Sequence, residues 1–65
     1  MKNKELLESL IGKTKEDAQK LCDENRFKMR VIREDSNNYK ITLDCRFDRI
    51  NIRLDNNLVT SCDVG

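Results

Sequence analysis

The sequence contains no histidine, no tryptophan and no proline, and it has only two glycines. Without histidine, a zinc site of the usual mixed type lacks its nitrogen ligand, and the three cysteines do not form a CxxC pair. A serine or cysteine nucleophile would likewise lack the imidazole that customarily accepts its proton. We therefore expect no metal, no cofactor and no enzymatic activity.

The sequence also lacks long apolar runs and an excess of either charge. Its longest apolar runs are pairs such as Leu6-Leu7, whereas a membrane span needs about 18 residues. Thirteen Lys and Arg oppose twelve Asp and Glu, so no overall field favours nucleic acid or anionic lipid. We expect neither a membrane nor a nucleic-acid partner. No signal peptide is visible, because Glu5 and Glu8 interrupt any apolar core; the location stays open, with the cytoplasm expected if the chain is complete.

The length allows one small domain. The chain has 65 residues, of which 37 % are hydrophobic and 38 % charged. A chain of this size builds a single core and buries only roughly 60 % of its unfolded surface. We expect one domain over residues 1–65, present as a monomer.

The three cysteines are an odd number, which fits either three reduced thiols or one bridge with a spare thiol. Cys22 falls on the apolar stripe of a predicted helix, where a free cysteine behaves as a small buried hydrophobe. Cys45 and Cys62 can meet if the two C-terminal strands are neighbours. Spacing alone leaves both alternatives open.

One helix is predicted over residues 15–25. Thr14 has the hydroxyl that caps a helix start, and the apolar stripe of Ala18, Leu21 and Cys22 follows helical spacing. Asn25 is placed at the end, because Asn tolerates the left-handed conformation that closes helices.

Three stretches show the alternation of strands. They cover residues 27–33, 50–54 and 58–62. The last two are joined by Asp55-Asn56-Asn57, which predicts a tight antiparallel turn, and Val59 is the expected buried member of the returning strand.

About 15 residues without a helix signal separate the first two strands, which is long for a connection inside a compact domain. This segment contains the apolar Ile41 and Leu43. An exposed apolar side chain on an anchored loop is typical of recognition. The alternative is that both residues begin a strand and face the core.

The sequence of this connection and of the strand that follows it, residues 41–55, is ITLDCRFDRINIRLD. It resembles the reactive loop and following strand of the potato inhibitor I family of serine-protease inhibitors, to which fungal elastase inhibitors are related. Upstream, residues 10–14 are similar to the start of the family's helix, and downstream the chain stops at Val64-Gly65 as those inhibitors do. The similarity extends over nearly the whole chain.

The resemblance implies an α+β fold. It consists of a single helix packed on a small mixed β-sheet, with a long exposed loop between two parallel strands. A parallel pair needs a long crossover, and the loop supplies it.

The resemblance also implies inhibition of a serine protease of the subtilisin, chymotrypsin or elastase type. By the same resemblance, Leu43 is the primary specificity residue and Leu43-Asp44 the scissile bond. Leucine suits the apolar pockets of these enzymes. The residues assigned to the protease-binding loop are Ile41, Thr42, Leu43, Asp44, Cys45 and Arg46.

Support from beneath the loop is assigned by the same resemblance. Arg49 is expected to donate hydrogen bonds to Thr42 and Asp44, and Asn51 and Gly65 complete the support. Asn51 stands where the family has a second arginine, so one support of the family is absent here; Arg46 and Arg53 are the candidates to compensate for it.

The alternative function is a non-inhibitory protein-binding module on the same scaffold. The approach to the loop, residues 33–40, is about three residues longer than in the family and lacks its Pro or Gly. A loosely held loop is a substrate of the protease and not its inhibitor.

Overall fold

The computed structural model describes residues 3–42 and 44–65. They form two helices and four strands, in an α+β arrangement with a mixed sheet, as expected. The elements are α1 (Asn3–Leu10), α2 (Lys15–Glu24), β1 (Lys28–Glu34), β2 (Asn37–Asn38), β3 (Arg49–Asp55) and β4 (Leu58–Val64).

The sheet has the strand order β2-β1-β3-β4. Its central pair, β1 and β3, is parallel, and the register places Lys28 beside Arg49 and Arg30 beside Asn51. The outer pairs, β1 with β2 and β3 with β4, are antiparallel. The crossover between β1 and β3 therefore runs through β2 and residues 39–48.

The expectation of a single helix is wrong, because residues 3–10 form α1. Leu6 and Leu10 stand four residues apart, so both point to the core, where they are almost completely buried. A helix of eight residues is marginal by itself, and tertiary packing stabilises it. Gly12 follows with a φ of 85°, a left-handed conformation that suits glycine after a helix end.

The prediction of α2 is confirmed to within one residue. The Thr14 side chain accepts a hydrogen bond from the backbone N–H of Asp17 at 3.2 Å, which caps the helix start. Cys22 is buried on the inner face, as expected. The left-handed residue after the helix is Arg26, with a φ of 61°, and not Asn25.

Two tight hairpin turns shape the sheet. Asn56 and Asn57 have φ values of 51° and 63°, as a type I′ turn requires, and they join β3 to β4 as predicted. Asp35 and Ser36 have φ values of 50° and 71° and make a second such turn between β1 and β2. The short strand β2 within the predicted connection is an addition to the sequence interpretation.

The core lies between the two helices and one face of the sheet. Its buried members are Leu6, Leu10, Ala18, Cys22, Ile50, Ile52, Leu54 and Val59. Val59 is 2 % exposed, which confirms its predicted burial. No helix in the described ranges is long and apolar enough to cross a membrane.

The other face of the sheet is polar and lies beneath the crossover. Ile50 and Ile52 point to the core, so strand alternation turns Asn51 to this second face. Asn51 is nevertheless only 7 % exposed. A buried amide needs hydrogen-bond partners, and Asn51 Oδ1 accepts one from Arg30 Nε of the neighbouring strand.

Candidate functional site

The segment between β2 and β3, residues 39–48, is called the loop. Its described residues belong to no helix or strand and are all exposed. Its ends are fixed by backbone hydrogen bonds, from Tyr39 N–H to the carbonyl of Ile32 at 3.0 Å and from Lys28 N–H to the carbonyl of Asp48 at 2.7 Å. Leu43 lies outside the described residues, as does the predicted Leu43-Asp44 bond.

Arg30 of β1 holds the residue before Leu43. Its Nη1 donates to the Thr42 Oγ1 at 3.2 Å and to the Thr42 carbonyl at 3.5 Å. Its Nε donates to Asn51 Oδ1 at 2.8 Å. Asn51 thus fixes the guanidinium from the neighbouring strand, and the guanidinium in turn holds Thr42.

Arg49 of β3 holds the residue after Leu43. Its Nη2 lies 3.1 Å from the Asp44 carbonyl oxygen and 3.3 Å from Asp44 Oδ1, and it donates to both. Its Nε donates to the Gly65 carbonyl at 2.8 Å. The side chain is only 11 % exposed, and its several bonds leave it little freedom to move.

Asp44 is the point where these contacts meet. Its carboxylate accepts hydrogen bonds from the Thr42 hydroxyl and from Arg49 on Oδ1, and from Arg46 Nε on Oδ2 at 3.1 Å. The hydroxyl of Thr42, then Arg46 and Arg49, hold the pKa of Asp44 well below its ordinary value of 3.8. The carboxylate is therefore charged under all ordinary conditions.

The structure shows one of the two contacts expected of Arg49. Arg49 contacts Asp44, as expected, but none of its hydrogen bonds to described residues reaches Thr42. Arg30, which the sequence interpretation missed, contacts Thr42 instead. The signal for it was the alternation of Arg30 with Met29 and Val31, which puts the guanidinium on the face opposite the core.

The two candidates to replace the missing second arginine differ in position. Arg46 bonds to Asp44 within the loop. Arg53 points away from the loop, donating to Ser61 Oγ at 3.4 Å and pairing with Asp63 at 3.6 Å. Arg53 lies two residues beyond Asn51 on the same face of β3, where it contacts β4 and not the loop.

Gly65 belongs to the support through its backbone. Besides accepting from the Arg49 side chain, it donates its N–H to the Arg49 carbonyl at 3.0 Å. A Cβ at this position would lie 3.1 Å from Asn51 Nδ2. Glycine therefore lets the chain pass close to the amide that fixes Arg30.

Several apolar side chains of the loop face solvent. Phe47 is 92 % exposed, Tyr39 48 % and Ile41 42 %. The Tyr39 hydroxyl donates to Glu34 at 3.1 Å. The orientation of Ile41 excludes the alternative in which it begins a strand facing the core.

The three cysteines are free thiols, so the alternative bridge between Cys45 and Cys62 is not formed. Cys45 is exposed in the loop, whereas Cys62 donates from Sγ to the Leu7 carbonyl at 3.3 Å. Burial raises the pKa of Cys22 to about 11.

Comparison with protein-family models and with curated proteins gives no match to this chain. The functional interpretation therefore depends on the loop, its supporting contacts and the pattern of its sequence.

Proposed function

We propose that this protein inhibits a serine protease by presenting residues 41–46 as an extended substrate. Leu43 enters the specificity pocket, and the Leu43-Asp44 peptide bond lies at the catalytic serine. The proposal rests on the resemblance of residues 41–55 to inhibitor loops and on the contacts beneath them.

One observation carries the proposal: the residues on the two sides of Leu43 are held by arginines from two different strands. Thr42 is bonded to Arg30 of β1, and Asp44 is bonded to Arg49 of β3. The two strands pair in parallel in the middle of the sheet. If the bond between residues 43 and 44 were cut, the new ends would each stay attached to the same rigid support.

This attachment is what distinguishes an inhibitor from a substrate. When the cut ends cannot separate, the amine stays beside the acyl-enzyme and re-forms the peptide bond in competition with hydrolysis. A loop already held in its bound conformation also loses less entropy on binding. Charge-assisted hydrogen bonds suit this role, because they fix geometry as well as contribute energy.

The chemistry of the loop indicates the class of protease. Leucine fits the apolar pockets of subtilisin-like, chymotrypsin-like and elastase-like enzymes, and it offers no cation to the acidic pocket of a trypsin-like enzyme. The carboxylate of Asp44 is engaged with Thr42, Arg46 and Arg49. It serves the rigidity of the loop and is not the group that selects the pocket.

Titration against subtilisin, chymotrypsin, elastase and trypsin tests the proposal. The variants are Leu43→Lys and, as a matched control, Ile11→Lys, which changes an aliphatic side chain that is 48 % exposed outside the loop. We expect the wild-type protein to inhibit one or more of the first three enzymes. Leu43→Lys should lose that inhibition and gain affinity for trypsin, and Ile11→Lys should behave as wild type.

Rapid cutting after Leu43 without inhibition would contradict the proposal. It would favour a non-inhibitory module that contacts another protein through the exposed Ile41 and Phe47. Equal behaviour of Leu43→Lys and wild type toward all four enzymes would also exclude Leu43 as the specificity residue.

A further inference from the structure

The small net charge of the chain hides a separation of charge between its two layers. The two helices together carry three basic and six acidic residues, whereas residues 26–53, which include β1, the loop and most of β3, carry eight basic and four acidic residues. The helices pack on one face of the sheet, and the loop is bonded to side chains on the other. The molecule thus has an acidic helical side and a basic loop side.

The strand register concentrates the positive charge. Lys28 is the direct neighbour of Arg49, and Arg33 is the direct neighbour of Arg53. Like charges in directly opposite positions destabilise a sheet. In both pairs one member is neutralised by an ion pair, Arg49 with Asp44 and Arg53 with Asp63, so the uncompensated positive charge lies on Lys28 and Arg33.

Some of these cations form no ion pair with a described residue. The ion pairs of the described residues involve Arg46, Arg49 and Arg53 on this side of the molecule. Lys28, Arg33 and Lys40 take part in none of the ion pairs found between described residues, and all three are exposed. These three residues are called the basic face, and Lys40 connects it to the loop itself.

We propose that the basic face binds the rim of a serine protease whose surface around the active-site cleft is acidic. This inference rests on the proposed function and specifies its partner. Complementary charge accelerates encounter and orients it. The acidic helices are repelled by the same rim, so the molecule approaches with the loop first.

Stopped-flow association rates with two subtilisin-type proteases, one with an acidic and one with a basic rim, test the inference. Ionic strength is varied from about 0.02 M to about 0.5 M, over which the Debye length falls from roughly 20 Å to roughly 4 Å. The charge-reversal variant is Lys28→Glu with Arg33→Glu. The control is Lys20→Glu with Lys13→Glu, which makes the same change at two exposed lysines on and beside α2 that form no ion pair with described residues.

We expect the wild-type protein to associate faster with the acidic enzyme, and salt to slow that association by tenfold or more, as is typical of steered encounter. Reversal of the basic face should slow association by about tenfold at low salt and leave the rate at high salt unchanged. The control reversal should have little effect on the low-salt rate.

The possible failures are distinguishable. If the protein inhibits with an association rate that does not depend on salt, or that both reversals slow equally, the basic face does not bind the protease rim. The proposed function would then still stand. Absence of inhibition at every ionic strength would contradict both the proposed function and the binding of the basic face to the protease rim. Salt-dependent binding of a 20-base-pair DNA duplex, lost on reversal of the basic face, would assign this face to nucleic acid and overturn its assignment to a protease.

Discussion

The guanidinium of Arg30 and the amide of Asn51 form one unit, with Nε of the arginine 2.8 Å from Oδ1 of the asparagine. They are 21 residues apart in sequence but directly beside one another in the parallel pair of β1 and β3. On the proposed resemblance to inhibitor loops, position 51 is the place of a second arginine. The neighbouring strand supplies that arginine here, and the asparagine holds it in place.

Loss of the Arg30 guanidinium should loosen the loop more than it destabilises the fold. Arg30→Ala removes the hydrogen bonds to Thr42 and to the buried Asn51 Oδ1 while leaving the core intact, so we expect a free energy of unfolding lowered by about 1–3 kcal/mol. The inhibition constant should rise by at least tenfold and cleavage after Leu43 should accelerate. Arg33→Ala is the control, since Arg33 is an exposed arginine of the same strand without an ion pair to described residues. Comparable weakening of inhibition at high salt by both variants would argue against a specific role of Arg30.

Asn51 and Gly65 should be energetically coupled. A methyl group at residue 65 would lie 3.1 Å from Asn51 Nδ2, and Asn51 is held by Arg30, so Gly65→Ala should cost about 1 kcal/mol through overpacking. The cost should be smaller in an Asn51→Ala background, where the obstructing amide is absent. A double-mutant cycle by chemical denaturation measures this coupling. Additive effects would show that the two positions do not act on one another.

The charge of Asp44 should persist into strong acid. Its pKa is lowered in the folded state, so its contribution to stability is present above its ordinary value of 3.8 and is lost only as the pH falls through the lower folded value. Carbon NMR of the Asp44 carboxyl should therefore show the ionised form at about pH 3. In Thr42→Ala, which removes the largest cause of the lowered pKa, the titration should move to higher pH. An Asp44 that titrates at its ordinary value in the wild-type protein would contradict the network described.

The three thiols should react in a fixed order. Cys45 is exposed, Cys62 is half-buried with a raised pKa, and Cys22 is buried with a pKa raised to about 11. Since the thiolate is the reactive form, alkylation at neutral pH should modify Cys45 first and Cys22 only on unfolding. Mass spectrometry of partly alkylated protein identifies the sites. Early modification of Cys22 would indicate that α2 opens more readily than its packing allows.

The sequence predicts well where one local pattern dominates. Val59 and the turn at Asn56 and Asn57 follow from alternation and turn chemistry, and α2 follows from its cap and apolar stripe. Helix α1 was missed although Leu6, Leu7 and Leu10 stand three and four residues apart, because a helix of eight residues is marginal by itself. Its stability comes from burying Leu6 and Leu10 in a core that the local sequence does not reveal.

Of the two arginines that hold the loop, the sequence allowed only Arg49 to be expected. The role of Arg49 was expected from the resemblance of residues 41–55 to inhibitor loops, and its contact with Asp44 is found in the structure. The role of Arg30 depends on the register between β1 and β3, which puts it beside Asn51, and no local pattern encodes that register. The sequence shows that Arg30 alternates with core positions, but it does not show that Asn51 is its partner.

The most direct test of the braced loop is resynthesis of the cut peptide bond. Protein cleaved between residues 43 and 44 is purified and incubated with a catalytic amount of subtilisin, and intact chain is followed by mass spectrometry. Because Arg30 and Arg49 hold the two new ends to adjoining strands, we predict that intact protein re-forms to a substantial equilibrium fraction, and that the Arg30→Ala, Arg49→Ala double variant stays cleaved. Cleaved wild-type protein that never regains the bond would contradict the account.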